Sequence, residues 1–430
     1  MRYLVLCTDY DGTLATDGRV FPETVAALER LLASGRRAVL VTGRELDDLQ
    51  KVCPRLDLFE YVVAENGALL YHPASGEETP LAPRPPESFV ALLRQRGVGP
   101  ISVGRVIVAT WEPHETVVLA TIRDLGLELQ VIFNKGAVMI LPGGVNKATG
   151  LAQALQRMGL SPRNAVGIGD AENDHALLAS CECSAAVANA LPTLKSDADI
   201  VTRGDHGAGV VELIDEMLRD DLLSREPKLT RHHILLGTDE RGREVHVKPH
   251  GETVLVVGPT HSGRSELATG LLERLALKGY TFGVIDVEGD YDAMAQLRER
   301  LGHPHWIVVD AERPSLVARQ VLRATTLVIA LGTAAPALLD EFCQISGRAR
   351  LAQGSSGPSS LPGPGSLQGP GETLVTVGEG GVLAWRPAEP NAQPFRLNTS
   401  SPQHATATGG GGVVKAAAQR PANTRTRGLH

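Results

Sequence analysis

Leu4-Val5-Leu6-Cys7-Thr8-Asp9-Tyr10-Asp11-Gly12-Thr13 is the stretch that decides the fold. Its first five residues make a short, mostly apolar run of the kind that forms a strand buried on both faces. Two carboxylates, Asp9 and Asp11, follow at once. Open α/β sheets bind ligands beyond the carboxyl ends of their strands. An Asp-Gly turn in such a place is common in itself. The pair of acids gives this one chemical content: a strand-end Asp can attack phosphorus, its neighbour can move the leaving-group proton, and a divalent metal can hold the anions together.

Residues 38–41, 61–64 and 165–169 repeat the texture of that first strand, while Val25, Leu28, Leu31 and Leu32 mark an intervening helix. This alternation predicts an α/β fold with a mostly parallel, doubly wound sheet over residues 1–70 and 145–222. The texture changes over 71–144. A Pro-rich entry (Pro80, Pro83, Pro85, Pro86) precedes a helix at 87–95, a strand at 105–110, a helix at 114–125 and strands at 127–133 and 137–141, the last two joined at Asn134-Lys135-Gly136. Such a small α+β insertion can close over a strand-end site as a lid.

Three further elements fit the opening pair. Thr42, in Val41-Thr42-Gly43-Arg44, ends the second strand, where a hydroxyl and the following backbone N–H groups can hold phosphate oxygens. Lys147, in Gly143-Gly144-Val145-Asn146-Lys147, opens a helix where a cation can neutralise a transferring phosphoryl group. Gly169-Asp170-Ala171-Glu172-Asn173-Asp174 ends another strand with oxygen ligands suited to Mg²⁺.

With these motifs in order, residues 1–222 resemble the haloacid dehalogenase superfamily and, within it, the Cof-type phosphatases. Glu65-Asn66-Gly67-Ala68 and Val187-Ala188-Asn189-Ala190 belong to the same likeness. The resemblance implies a Rossmann-like core with a cap, Mg²⁺ as cofactor and a small phosphorylated metabolite, such as a sugar phosphate, as substrate. It implies Asp9 as nucleophile and metal ligand, and Asp11 as general acid/base with its carbonyl on the metal. Thr42, Gly43, Lys147 and Asn173 would hold the phosphoryl group. Asp170 would complete the metal shell, with Asp174 on a metal-bound water or orienting Lys147. Trp111, Glu112, His114, Asn134 and Lys135 are the cap's candidates for substrate contact.

A charged stretch, residues 220–231, separates this unit from a second at 232–350. There Gly258-Pro259-Thr260-His261-Ser262-Gly263-Arg264-Ser265 lies between a predicted strand and helix, the context of a phosphate-binding P-loop, with Arg264 in place of the usual lysine. With Asp286 and Glu288 after the next strand, this region resembles the HerA-like P-loop ATPases, and ATP is its candidate ligand. A competing expectation follows: a nucleotide-responsive, DNA-translocase-like protein in which the first unit is a sensor or scaffold. Residues 351–372 read as a Gly/Pro/Ser-rich linker, 373–397 as a short strand-like segment and 398–430 as a disordered tail. Arg420, Arg425 and Arg427 make the tail basic, as solvated termini often are.

Composition sets outer bounds. A net charge of −7 gives no global attraction to nucleic acid, and five scattered cysteines make no disulfide framework. No signal-peptide pattern opens the chain and no apolar run is long enough to span a bilayer, so a cytoplasmic protein with no membrane partner is expected. The overall expectation is a Mg²⁺-dependent phosphomonoester hydrolase with an appended ATP-binding module.

Overall fold

The computed structural model of this chain describes residues 1–239, 241–248, 250–286, 305–348, 381–387 and 395–396. Contacts divide the chain into two units, Met1–Thr230 and Arg231–His430.

The strands of the first unit are β1 (Val5–Thr8), β2 (Arg37–Val41), β3 (Tyr61–Ala64), β4 (Leu69–His72), β5 (Glu77–Pro80), β6 (Ser102–Val103), β7 (Val108–Trp111), β8 (Leu129–Asn134), β9 (Ala137–Pro142), β10 (Ala165–Gly169), β11 (Cys183–Ala186) and β12 (Ile200–Val201). Its helices are α1 (Pro22–Ala33), α2 (Leu46–Val52), α3 (Glu87–Gln95), α4 (Glu115–Asp124), α5 (Lys147–Arg157), α6 (His175–Ser180), α7 (Pro192–Asp197) and α8 (His206–Asp220). The main sheet has the order β12-β11-β10-β1-β2-β3-β4-β5. From β12 to β3 it is parallel, and β1 sits centrally with Leu6 opposite both Val166 and Ala38.

Successive residues of β1 face opposite sides of the sheet. Leu6 joins a core cluster with Leu28 and Leu31 of α1 and Leu213 and Met217 of α8, whereas Val5 and Cys7 join one with Leu151 and Leu155 of α5 and Leu177 of α6. Each fully buried Leu or Val of these layers contributes about 1.5–3 kcal/mol. This is why the β1 sequence is apolar throughout rather than alternating. All five cysteines are buried thiols outside any disulfide, with Cys181 and Cys183 packed in different clusters.

The insertion starts later than residue 71. Tyr71 still pairs with Val62 on β3 and Leu69 with Pro80 on β5, so the antiparallel β4–β5 hairpin extends the core sheet. Cross-strand pairing, invisible in the Pro-rich composition, keeps this segment with the core. The cap proper is an antiparallel sheet of order β6-β7-β9-β8 with α3 and α4, whose Phe89, Leu93, Val118 and Ile122 pack with Val108, Val138 and Ile140.

In the second unit, β13 (Ile234–Thr238) and β14 (Glu244–Val247) form a hairpin. Then come β15 (Glu252–Val257), α9 (Arg264–Leu277), β16 (Phe282–Asp286), β17 (Trp306–Ala311), β18 (Leu327–Leu331), β19 (Val382–Trp385) and β20 (Phe395–Arg396). The sheet order is β16-β17-β15-β18-β19-β20, parallel as far as β18 and antiparallel beyond it. The expected linker at 351–372, the expected tail at 398–430 and most of the segment 373–397 lie outside the described residues. No helix among the described residues is long and apolar enough to cross a membrane.

Candidate active site

Asp9 follows β1 directly, and its backbone N–H donates to the Ile168 carbonyl of β10 at 3.0 Å, which carries the sheet register into the site. The residue is only 4% exposed. The fully buried Lys147 ammonium donates to Asp9 Oδ1 and to Asp174 Oδ1, each at 2.6 Å. Lys147 is the first residue of α5, and Asn146 caps that helix by accepting from the backbone N–H groups of Ala148 and Thr149. Gly67 makes this close seat available: a Cβ there would come within 1.9 Å of the Asn146 carbonyl oxygen.

The buried charges shape one another. Lys147 is held above the usual lysine range, because two carboxylates outweigh the burial that acts against its charge. Asp9 is pushed up by burial first, with Asp174 and Asp170 adding repulsion, although Lys147 pulls the other way. The two directions agree once shared charge is considered: Lys147 has two anions, whereas Asp9 has half a cation and two acidic neighbours. Asp174 has no spare capacity on its second oxygen, which accepts the backbone N–H groups of Asp170 and Ala171 at 3.0 Å each. It positions Lys147.

Asp170 follows β10, is 5% exposed, and accepts Thr13 Oγ1 on Oδ1 at 3.1 Å and the cap residue Lys135 on Oδ2 at 2.8 Å. Burial raises its pKa. Lys135 also donates to the Asp11 backbone carbonyl at 2.9 Å. Gly12 leaves room for this meeting: its φ is +86°, and a Cβ there would lie 2.5 Å from Lys135 Nζ and 2.4 Å from Asp170 Oδ2.

The Asp11 carboxylate is gripped by both arms of Arg44, Nε to Oδ2 at 2.6 Å and Nη2 to Oδ1 at 2.7 Å. Thr42, at the end of β2 and 1% exposed, accepts the Arg44 backbone N–H on its hydroxyl at 3.1 Å. Asn173 donates to Asn66 Oδ1 at 2.9 Å, and its own buried Oδ1 has no hydrogen-bond partner. Gly43 faces both Asn173 and Met139 of the cap.

One acceptor atom each from Asp9, Asp170 and Asp174 lies within 4.8 Å of the others. With the Asp11 carbonyl beside them, these are all oxygen donors, as a hard divalent cation requires. The ammonium already held by Asp170 Oδ2 and the Asp11 carbonyl confirms that the seat accepts positive charge. The residues present therefore fit Mg²⁺.

Above them a cavity of about 400 Å³ lies between core and cap, lined by Asp9, Asp11, Arg44, Trp111, Asn134 and Lys135 among others. Glu112 and His114 do not line it; His114 turns to the Gly99 carbonyl at 3.1 Å. Two contributions escape a sequence reading. Arg44 lies inside the quoted motif, but nothing in the motif tells that its side chain meets Asp11. Glu65, fully buried, accepts the N–H groups of Arg105, Val106 and Ile107 at 2.7, 2.7 and 2.9 Å and so ties the root of the cap to the core. Glu65 stands in the quoted Glu65-Asn66-Gly67-Ala68 motif, which marks the residue without telling what it binds.

In the second unit, Gly258–Ser265 does connect β15 to α9. Arg264 is not free for a phosphate: its Nε pairs with Asp310 of β17 at 2.6 Å and its Nη1 donates to the Gly258 carbonyl at 3.0 Å. Gly263, at φ +85°, caps α9, and Ser265 is exposed. Asp286 ends β16, whereas Glu288 lies outside the described residues.

The haloacid dehalogenase-like hydrolase family matches residues 6–109 and 116–214. Among curated proteins, phosphoglycolate phosphatase 2 of Saccharolobus solfataricus is 30% identical over 223 residues, 50% of this chain and 92% of its own length. The phosphoglycolate phosphatase of Methanothermobacter thermautotrophicus is 29% identical, over 49% of this chain and 96% of its own. Among solved structures, a haloacid dehalogenase-like hydrolase from Bacteroides thetaiotaomicron aligns with a TM-score of 0.45 at 20% identity, covering 50% of this chain and 99% of that one. The family match ends at residue 214, and the HerA-like reading of the second unit gains no support from these comparisons. The family match and the curated relatives agree with a phosphatase in the first unit, and through that unit the chain belongs to the haloacid dehalogenase-like hydrolases.

Proposed function

We propose that the first unit is a Mg²⁺-dependent phosphomonoester hydrolase that works through an aspartyl-phosphate on Asp9. The observation that carries this reading is the buried Asp9–Lys147–Asp174 arrangement beside Asp170, opening into the cap cavity. Asp9 attacks phosphorus, and the P–O bond to the leaving group breaks as its oxygen takes a proton from Asp11. In the second step Asp11 takes a proton from water, the water oxygen bonds to phosphorus, and the bond to Asp9 breaks to release inorganic phosphate. Arg44 must loosen its hold on Asp11 for either transfer, since both carboxylate oxygens are committed to its guanidinium and are not aimed at a leaving group or a water. Lys147, the Thr42 hydroxyl, the Gly43 N–H and Asn173 receive the phosphoryl oxygens. Asp9, Asp170 and the Asp11 carbonyl hold the cation, which supplies charge neutralisation for the in-line displacement.

The cavity volume suits a small molecule, and the phosphoglycolate phosphatases among the relatives make a short phosphorylated acid the first substrate to try, ahead of sugar phosphates. A phosphate-release screen with Mg²⁺ over glycolate, glycerol, sugar and nucleotide monophosphates tests the reading. Asp9→Asn is expected to lower turnover of every substrate by roughly 10³-fold or more while the protein remains folded; a variant that still turns over overturns it.

For the second unit, the order of strand, glycine-bounded loop and helix supports nucleotide binding, with Ser265 as a hydroxyl for Mg²⁺. The Arg264–Asp310 pair speaks against hydrolysis. ATP titration against the full chain and Ser265→Ala decides between them, and no binding at millimolar ATP removes nucleotide from the reading.

A further inference from the structure

Lys135 is the cap residue whose placement exceeds what substrate contact demands. It reaches from the tip of the β8–β9 hairpin to two core oxygens of different kinds, a carboxylate of Asp170 and the backbone carbonyl of Asp11. Those are two of the oxygens assigned above to the divalent cation. An ammonium at 2.8–2.9 Å from both and a metal ion at about 2.0–2.1 Å from the same atoms cannot coexist there.

Two further observations set this residue apart. Lys135 adopts φ +49°, a left-handed conformation that Gly or Asn takes more readily, and Gly136 follows at φ +84° in the two-residue turn. A lysine is therefore kept where the backbone prefers another residue. Its side chain is also 48% exposed, while Asp170 is 5% exposed. The ammonium is held by its ionic contacts and not by packing of its stem, so it can leave without opening a cavity.

We propose that Lys135 is a tethered cation that occupies the metal seat of the core, latching the cap, and that divalent metal binding expels it and releases the latch. This rests on the reading that Asp9, Asp170 and the Asp11 carbonyl receive a divalent cation. Before metal arrives, Lys135 neutralises the buried Asp170. Once it is displaced, the ammonium stays on the cavity wall, and the cap is tied to the core at its root through Glu65.

The test is a Mn²⁺ titration of the full chain, followed by calorimetry or by the loss of the free-ion paramagnetic signal, at fixed pH and ionic strength. Lys135→Gln and Lys135→Asn are expected to bind Mn²⁺ about fivefold more tightly than the unsubstituted protein. Lys135→Arg, which keeps a cation, stays within about twofold. Asn suits the left-handed turn, so that variant guards against a folding defect. Hydrogen exchange supplies the second readout: Mn²⁺ speeds exchange in residues 134–140 of the unsubstituted protein, whereas Lys135→Asn exchanges fast from the start. Folded variants with unchanged Mn²⁺ affinity, or hairpin exchange that ignores Mn²⁺, overturn the latch alone. Absence of Mn²⁺ binding in every form overturns the metal reading with it.

Discussion

Both units place a parallel strand at the middle of a sheet and set charged residues beyond its carboxyl end, yet they settle their charges differently. In the first, Asp9, Asp11, Asp170 and Asp174 gather around Lys147, Arg44 and Lys135. Arg44 is also shared with Asp48, so with the half-exposed Lys135 set aside the carboxylates outnumber the cations, a surplus of the sign that a divalent ion would meet. In the second, Arg264 pairs with Asp310, each about one-fifth exposed. A largely buried surplus of one sign calls for a ligand, whereas a pair of opposite charges already offsets part of its own demand. The difference lies in burial as much as in residue type, because Asp9, Asp170, Asp174 and Lys147 are each no more than 5% exposed.

The contrast can be broken most forcefully at Lys147. Lys147→Met removes the cation shared by two buried carboxylates and is expected to cost about 3–5 kcal/mol in denaturant unfolding; a loss below about 1 kcal/mol would place the pair in an effectively solvated setting. Next is the root of the cap. Glu65→Ala leaves the three N–H groups of Arg105, Val106 and Ile107 without their acceptor, and about 1–3 kcal/mol should be lost. Rapid exchange confined to residues 105–107 would locate the damage there.

The surplus charge also has a pH signature. Asp9 and Asp170 have carboxyls raised by burial, so relative to the unfolded chain their contribution is most favourable at acid pH and is lost as pH climbs from the ordinary carboxylate range through their raised values. Metal binds the ionised form and offsets that loss. The melting-temperature gain from Mg²⁺ should therefore be larger at pH 8 than at pH 5, and an equal gain at both would argue against burial as the cause. The smallest effect belongs to the second unit: a double-mutant cycle on Arg264→Ala and Asp310→Ala should return a coupling of no more than about 1 kcal/mol. A value near that of the Lys147 cluster would erase the distinction between the units.

Much of this arrangement is legible in the sequence where strand ends carry it. Asp9, Thr42 and Asp170 stand just past apolar runs, and the runs pair side by side as their periodicity predicts. Helix α5 begins at Lys147, as Asn146 before it suggests. What stays hidden depends on contacts between distant segments. Arg44 meets Asp11 only after β1 and β2 are adjacent, and Lys135 reaches Asp170 only after a hairpin folds over the core. The β4–β5 hairpin was concealed for a related reason: its membership of the core rests on backbone pairing, which leaves little trace in composition. In the second unit the glycine spacing reads as a phosphate loop, but Asp310, far along the chain, takes up the arginine.

Glu65 gives the cap a fulcrum. Both of its oxygens are committed to the backbone of residues 105–107, and the side chain is sealed from solvent. Any swing that lifts Lys135 from Asp170 must leave those three peptide groups behind, so the travel of the lid grows with distance from them and is greatest toward the far hairpin. A cap swinging about that point would act as a lever arm, its short end clasped by one carboxylate and its long end bearing the lysine.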